Sequence, residues 1–300
     1  MLLTLALLGI SLGTYLRSRP NTGGAASADP FDGDRGFADL RQIVAFGPRP
    51  SSSPALERCT AFIIGEQRSA DVTVSEDRFT ATTPSGGIPM TDILATIPGV
   101  GPSIVVIGGH HDTKRIATPL AGANDGGSSA AFLLEMARVL TQRHNKATYW
   151  LVLFDGEEAL GRWSVSDGLY GSRHFTRRLA DGGAEHQIND VIVIDMIGDN
   201  HFDIQREKVL HALADRARFR PGAASRLRPL LSQEQQENWD DQLAFLQLGI
   251  PAVEVIDLDY GPLNLYWQTR FDTVDKCSPA SLAIVGDTVL STLDALENAD

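Results

Sequence analysis

Carboxylates and histidines stand in four short clusters along this chain. His110 and Asp112 form an H-x-D, Asp125 lies in GANDGG, Asp155, Glu157 and Glu158 form DGEE, and Asp195 opens DMIGD. Two adjacent glutamates aimed at one site repel unless a cation relieves them. With a cation present, one carboxylate can ligate it while the other stays free to move protons. An isolated Glu-Glu pair is more often a solvated acidic turn, so the weight falls on its setting. Glu157 and Glu158 follow a fully apolar run, TYWLVLF (148–154), and the other clusters likewise end an apolar run or open a helix. His110 and Asp112 share a face in an extended chain, with His111 pointing away. Asp125 precedes GGSSAAFLLEMARVL, where it can cap a helix or, among glycines, approach an ion closely. Asp195 is a candidate to orient a ligand or carry a proton.

The elements that must position these groups alternate between two periods. Strand-like runs lie at 91–98, 103–109, 148–154, 190–197 and 252–258, several of them nearly continuous in Val, Ile and Leu. Such runs mark strands buried on both faces. Helix-period segments lie at 54–68, 128–144, 172–180, 207–217, 240–248 and 279–297. The alternation predicts an α/β three-layer sandwich, a central mixed, mostly parallel sheet flanked by helices. Only GVGP separates the first two runs, which predicts a hairpin between them. In such folds sites gather beyond the carboxyl ends of the strands, where these clusters fall, together with Asp257, Asp259 and the Trp267–Gln268 pair.

Three hundred residues, 43% of them hydrophobic, can bury one large core. A formal charge of −12 argues against a nucleic-acid partner. Two cysteines, Cys59 and Cys277, exclude a disulfide framework and a thiolate zinc cluster; they can form one bridge or stay as two separate buried thiols. The uncharged run LLTLALLGISLGTYL (2–16), followed by Arg17 and Arg19, reads as a signal peptide or membrane anchor over residues 1–19. Residues 20–35 read as a flexible tether, and 36–300 as a single catalytic-type domain. An extracytoplasmic location follows, periplasmic or secreted, with a membrane tether through residues 2–16 if that run is retained. Trp150 reads as strand core, His174 as a supporting residue, and His144, His186, His201 and His211 as surface.

The succession H-x-D, GAND, DGEE, DMIGD resembles the zinc-dependent aminopeptidase superfamily. Within it, FDGEEALGRWSVSDGLYGSRHF (154–175) is similar to the glutaminyl-peptide cyclotransferases, or glutaminyl cyclases. DIQRE (203–207), WDDQLAFLQLGIPAVEVID (239–257) and YWQTRFDT (266–273) extend the resemblance over most of the chain. It implies an acyltransferase that turns the N-terminal glutamine of peptides or proteins into pyroglutamate and releases ammonia. It implies one zinc, with Asp125 and Glu158 as ligands and Glu157 as catalytic acid/base. It further implies a bonded carboxylate pair, Asp195 and Asp240, and a pocket walled by Trp163 and Trp267. The third ligand position, a histidine in that family, falls on Gln268, and the family's D-D-H reads Asp240-Asp241-Gln242. A carboxamide oxygen is a poorer zinc ligand than imidazole, and an all-oxygen set suits Mg²⁺, Ca²⁺ or Mn²⁺. Two alternatives accompany this reading. One is a zinc aminopeptidase whose second ion uses His110, Asp125 and Asp195. The other is a catalytically impaired homologue that binds peptide N-termini, with Gln268 and Gln242 as its support.

Overall fold

The computed structural model describes residues 30–118, 120–164, 166–201, 204–207, 231–236 and 239–298. The chain opens with helices α1 (Gly33–Ala45) and α2 (Pro54–Ser69) and a hairpin of β1 (Thr73–Thr83) and β2 (Gly86–Ile97). Then follow β3 (Ile104–His110), α3 (Gly127–Thr141), β4 (Thr148–Phe154), α4 (Tyr170–Gly182) and β5 (Ile188–Asp195). A two-stranded parallel pair, β6 (Ile204–Glu207) and β7 (Leu231–Gln236), precedes α5 (Gln242–Gln247), β8 (Ala252–Ile256) and α6 (Pro279–Glu297). Local chemistry fixes the helix starts. Asp32, Ser53 and Ser278 each accept a backbone N–H of the first turn, and Pro54 and Pro279 begin their helices with φ already set.

Six strands form one sheet in the order β1-β2-β4-β3-β5-β8. Strands β4, β3, β5 and β8 run parallel, and β1 and β2 are antiparallel additions at one edge. Helices α1, α2, α3 and α6 cover one face, through Leu40, Ile63, Phe132, Leu282 and their neighbours. Helices α4 and α5 cover the other through Phe175, Leu179 and Phe245, which pack with Phe154. The expected mixed three-layer architecture is therefore observed. Helix α3 is buried almost all round, as its largely apolar sequence requires. Among the described residues no helix is long and apolar enough to cross a membrane.

Two expectations are corrected. Runs 91–98 and 103–109 do not form a hairpin; β4 lies between β2 and β3. The intervening loop pairs with the approach to β4 instead, through Gly99 N–H to Thr148, Val100 N–H to Asn145 O and Gly101 N–H to Lys146 O. The hairpin partner of β2 is β1, whose TVSEDRFTATT alternates so weakly at an exposed edge that no strand stood out there. The tether expected over 20–35 ends early, because Phe31 is buried against Phe132 and α1 begins at Gly33. The helix expected at 207–217, and residues 1–29, lie outside the described residues.

Candidate active site

The parallel strands deliver their polar ends to one edge of the sheet. His110 is the last residue of β3, Glu157 and Glu158 follow β4, Asp195 ends β5, and the loop after β8 carries Trp267 and Gln268. Asp125 precedes α3 without capping it. Gly126 is the cap residue, in a left-handed conformation (φ +78°). A side chain there would strike the Asp112 carbonyl and the His110 ring, so only glycine fits. Asp125 is held by its backbone instead, its N–H and that of Asn124 donating to Asp272. The side chain is thereby left free to enter the site, and its Oδ2 is buried without a hydrogen-bond partner.

These groups surround one cavity of about 380 Å³. Asp125, Glu157, Glu158, Trp163, Asp195, Asp240, Trp267 and Gln268 all line it, whereas Asp257 and Asp259 do not. Lys114, Trp239, Met196, Ile256 and Leu258 complete the wall. Reasoning from sequence passed over these five. Lys114 stands two residues beyond the H-x-D, which was the available signal, and Trp239 directly precedes the Asp240-Asp241 pair.

Burial dominates the electrostatics. Glu157 and Glu158 are nearly inaccessible, and both carboxyls are held well above the ordinary carboxylate range. For Glu157 the cause is burial, then the charge of Asp240; for Glu158 it is burial, then the charge of Asp125. Burial pushes Asp195 up to about 6 against the pull of His110. Burial opposes charge on the His110 ring, but Asp195 and Glu157 outweigh it and raise its pKa. The paired carboxylates expected at 195 and 240 do approach, within 4.8 Å, and Glu254 of β8 joins them. Asp195 Oδ1 accepts the Met196 N–H and faces His110 Nε2. Met196 itself sits at φ +47°. A non-glycine residue held there costs of order 1–3 kcal/mol, strain of the kind that clusters at functional sites.

Two donor sets bear on a metal. At the first, His110 Nε2 lies 3.4 Å from Asp125 Oδ1 and 3.1 Å from Asp195 Oδ1. Ligands about 2.05 Å from a tetrahedral ion stand about 3.3 Å apart, so this group fits one. Asp112 Oδ1 lies 3.4 Å from the other ring nitrogen, the arrangement that orients a ligating imidazole. The second is the expected set, Asp125, Glu158 and Gln268, and it does not fit. Gln268 turns its amide nitrogen, not its oxygen, to both oxygens of Glu158, at 3.4 and 3.3 Å. Lys114 Nζ is 3.0 Å from Glu158 Oε2. Burial disfavours charge on Lys114, yet the charges of Glu158, Glu157 and Asp125 raise its pKa and keep it cationic.

The tryptophan wall has its own scaffold. Asp167 accepts the backbone N–H of Leu160, Gly161 and Arg162, and its Oδ1 accepts the Tyr170 hydroxyl at 2.8 Å. Those bonds hold the carboxyl below the usual range despite some burial. Gly168, at φ +118°, lies so near Trp163 that a Cβ would stand 3.0 Å from the indole. Asp167 and Gly168 therefore shape the loop that presents the Trp163 ring.

Residues 92–293 match the model of peptidase family M28. The chain belongs to that family. Its likeness within the family runs to glutaminyl cyclases. A glutaminyl cyclase structure from an Acidobacteriales bacterium is 31% identical, with a TM-score of 0.84, covering 95% of this chain and all of that one. A bovine glutaminyl-peptide cyclotransferase-like protein is 27% identical over an alignment of 239 residues and covers 69% of this chain and 60% of that protein. This chain thus spans about three-fifths of that curated relative. A leucine aminopeptidase precursor from Bacteroides thetaiotaomicron, 22% identical with a TM-score of 0.80, shares the fold. The chain is thus a relative of glutaminyl cyclases within peptidase family M28.

Proposed function

We propose that this M28 chain is a glutaminyl cyclase, an acyltransferase acting on peptide or protein N-termini. The observation that carries the reading is Glu157, a buried carboxyl with an elevated pKa at the floor of a tryptophan-walled pocket. The solved glutaminyl cyclase of like fold supports it. In the reaction the α-nitrogen of an N-terminal glutamine bonds to the carbonyl carbon (Cδ) of its own side-chain amide, the bond from that carbon to the amide nitrogen breaks, and ammonia leaves. Glu157 takes the proton that the attacking nitrogen sheds and returns it to the leaving nitrogen; an elevated pKa suits both halves of that shuttle near neutral pH. Asp240, at the pocket wall, accepts from the N–H groups of the substrate's terminus. Trp163, Trp239 and Trp267 exclude water, which would otherwise divert the glutamine to glutamate.

His110, Asp125 and Asp195 would hold a divalent ion, zinc by its imidazole and carboxylate donors. Such an ion supplies Lewis-acid polarisation of the amide carbonyl. The uncharged run at 2–16 supports an extracytoplasmic setting, where secreted N-termini mature.

Incubation of the purified protein with a glutamine-initiated peptide tests the reading. A cyclase releases ammonia and leaves the peptide bonds intact. Release of free glutamine would mark an aminopeptidase, and absence of both products would leave a binding homologue.

A further inference from the structure

The mismatch at Glu158 has a structured cause. A metal set of Asp125, Glu158 and residue 268 needs an acceptor at 268, and Gln268 offers a donor. Glu158 is itself buried, with 3% of its side chain exposed, and a buried carboxylate needs a compensating charge. Lys114 supplies one, its ammonium 3.0 Å from Oε2. A divalent ion on the same carboxylate would stand beside that ammonium and be repelled by it. Gln268 is held in a left-handed conformation (φ +51°), which aims its amide across the pocket at Glu158. The amide nitrogen of Gln268 and the ammonium of Lys114, both on Glu158, are thus two parts of one arrangement.

We propose that Lys114 is the built-in electrophile of this pocket. Its ammonium, held on Glu158 and braced by Gln268, takes the station where a ligand set of Asp125, Glu158 and residue 268 would place an ion. Lys114 also lines the cavity, and its remaining N–H donors serve the carbonyl oxygen of a bound peptide. No bond is made or broken by the lysine; it stabilises the charge that grows on that oxygen. This second role rests on the cyclase reading, whereas the first does not. Any resident metal is confined to His110, Asp125 and Asp195.

Elemental analysis after zinc equilibration and desalting tests the first role without reference to activity. The native protein and Gln268→Ala should carry the same number of ions, at most one per chain. Lys114→Met combined with Gln268→His should carry one more, since the charge is gone and a ligand restored. Two ions in the native protein, an ion lost in Gln268→Ala, or no gain in the double variant would each overturn the proposal. The second role is read on a glutamine-initiated peptide. Lys114→Met, which keeps the apolar stem, should lower kcat about 10²-fold with KM little changed, as for loss of one oxyanion donor. Lys114→Arg should restore part of the rate. An unchanged kcat in Lys114→Met would refute the donor role. If the native protein releases no ammonia, the cyclase reading fails, and the ion counts still judge the lysine.

Discussion

Glu157 and Glu158 are neighbours in sequence with divergent surroundings. Glu157 faces His110 and Asp240, whereas Glu158 faces Lys114 and Gln268. Glu157→Gln should therefore abolish ammonia release, by 10²-fold or more, while leaving the zinc count unchanged; a fall in bound zinc would show that Glu157 is a ligand. Asp155, just before the pair, is raised to about 7 by burial and then by the charge of Asp112. Its unfolded value is 3.8. As pH rises between those values the unfolded chain releases a proton that the folded chain retains, so stability falls across that window and levels off above it. Asp155→Asn removes the titration. Its urea midpoint should drop less between pH 5 and pH 8 than that of the native protein, which alone carries this linkage. Equal drops would show that Asp155 is not the group responsible.

At the scale of elements, the loop between β4 and α4 decides whether Trp163 is a wall or a loose ring. Asp167→Ala removes the acceptor for three backbone N–H groups and the Tyr170 hydroxyl. It should raise KM for glutamine-initiated peptides and cost about 1–3 kcal/mol in stability; a KM within error of native would mean the loop is held by other contacts. The hairpin error belongs to this scale as well. Adjacency in sequence suggested that β2 pairs with β3, but antiparallel β2 and parallel β3 both take β4 as neighbour. Pairing was decided by loop 99–101 docking on residues 145–148, a contact between segments far apart in the chain.

Across the whole molecule, Cys59 and Cys277 are both free and buried. Burial pushes the Cys59 thiol up to about 11, and burial and then Asp272 raise Cys277 further. Neither thiol should react with an alkylating reagent in the native protein at neutral pH, and both should react in denaturant, counted by mass; rapid native labelling would contradict the packing around them. The layered architecture and the gathering of acids at one sheet edge were legible from residues alone, because continuous Val, Ile and Leu runs dictate buried parallel strands and such strands end together. The candidates at 125, 157, 158, 163, 195, 240, 267 and 268 were assigned through the resemblance of the motifs that hold them to the glutaminyl cyclases. Lys114, Trp239 and Glu254 were not: the first two lie beside site motifs, but position next to a motif does not say which way a side chain faces. Which donors meet a metal was decided only in three dimensions. Ligation depends on distances of a few tenths of an ångström and on which end of a carboxamide points inward, and those follow from the packing of β3, β5 and the loop after β8 rather than from the order of residues along the chain.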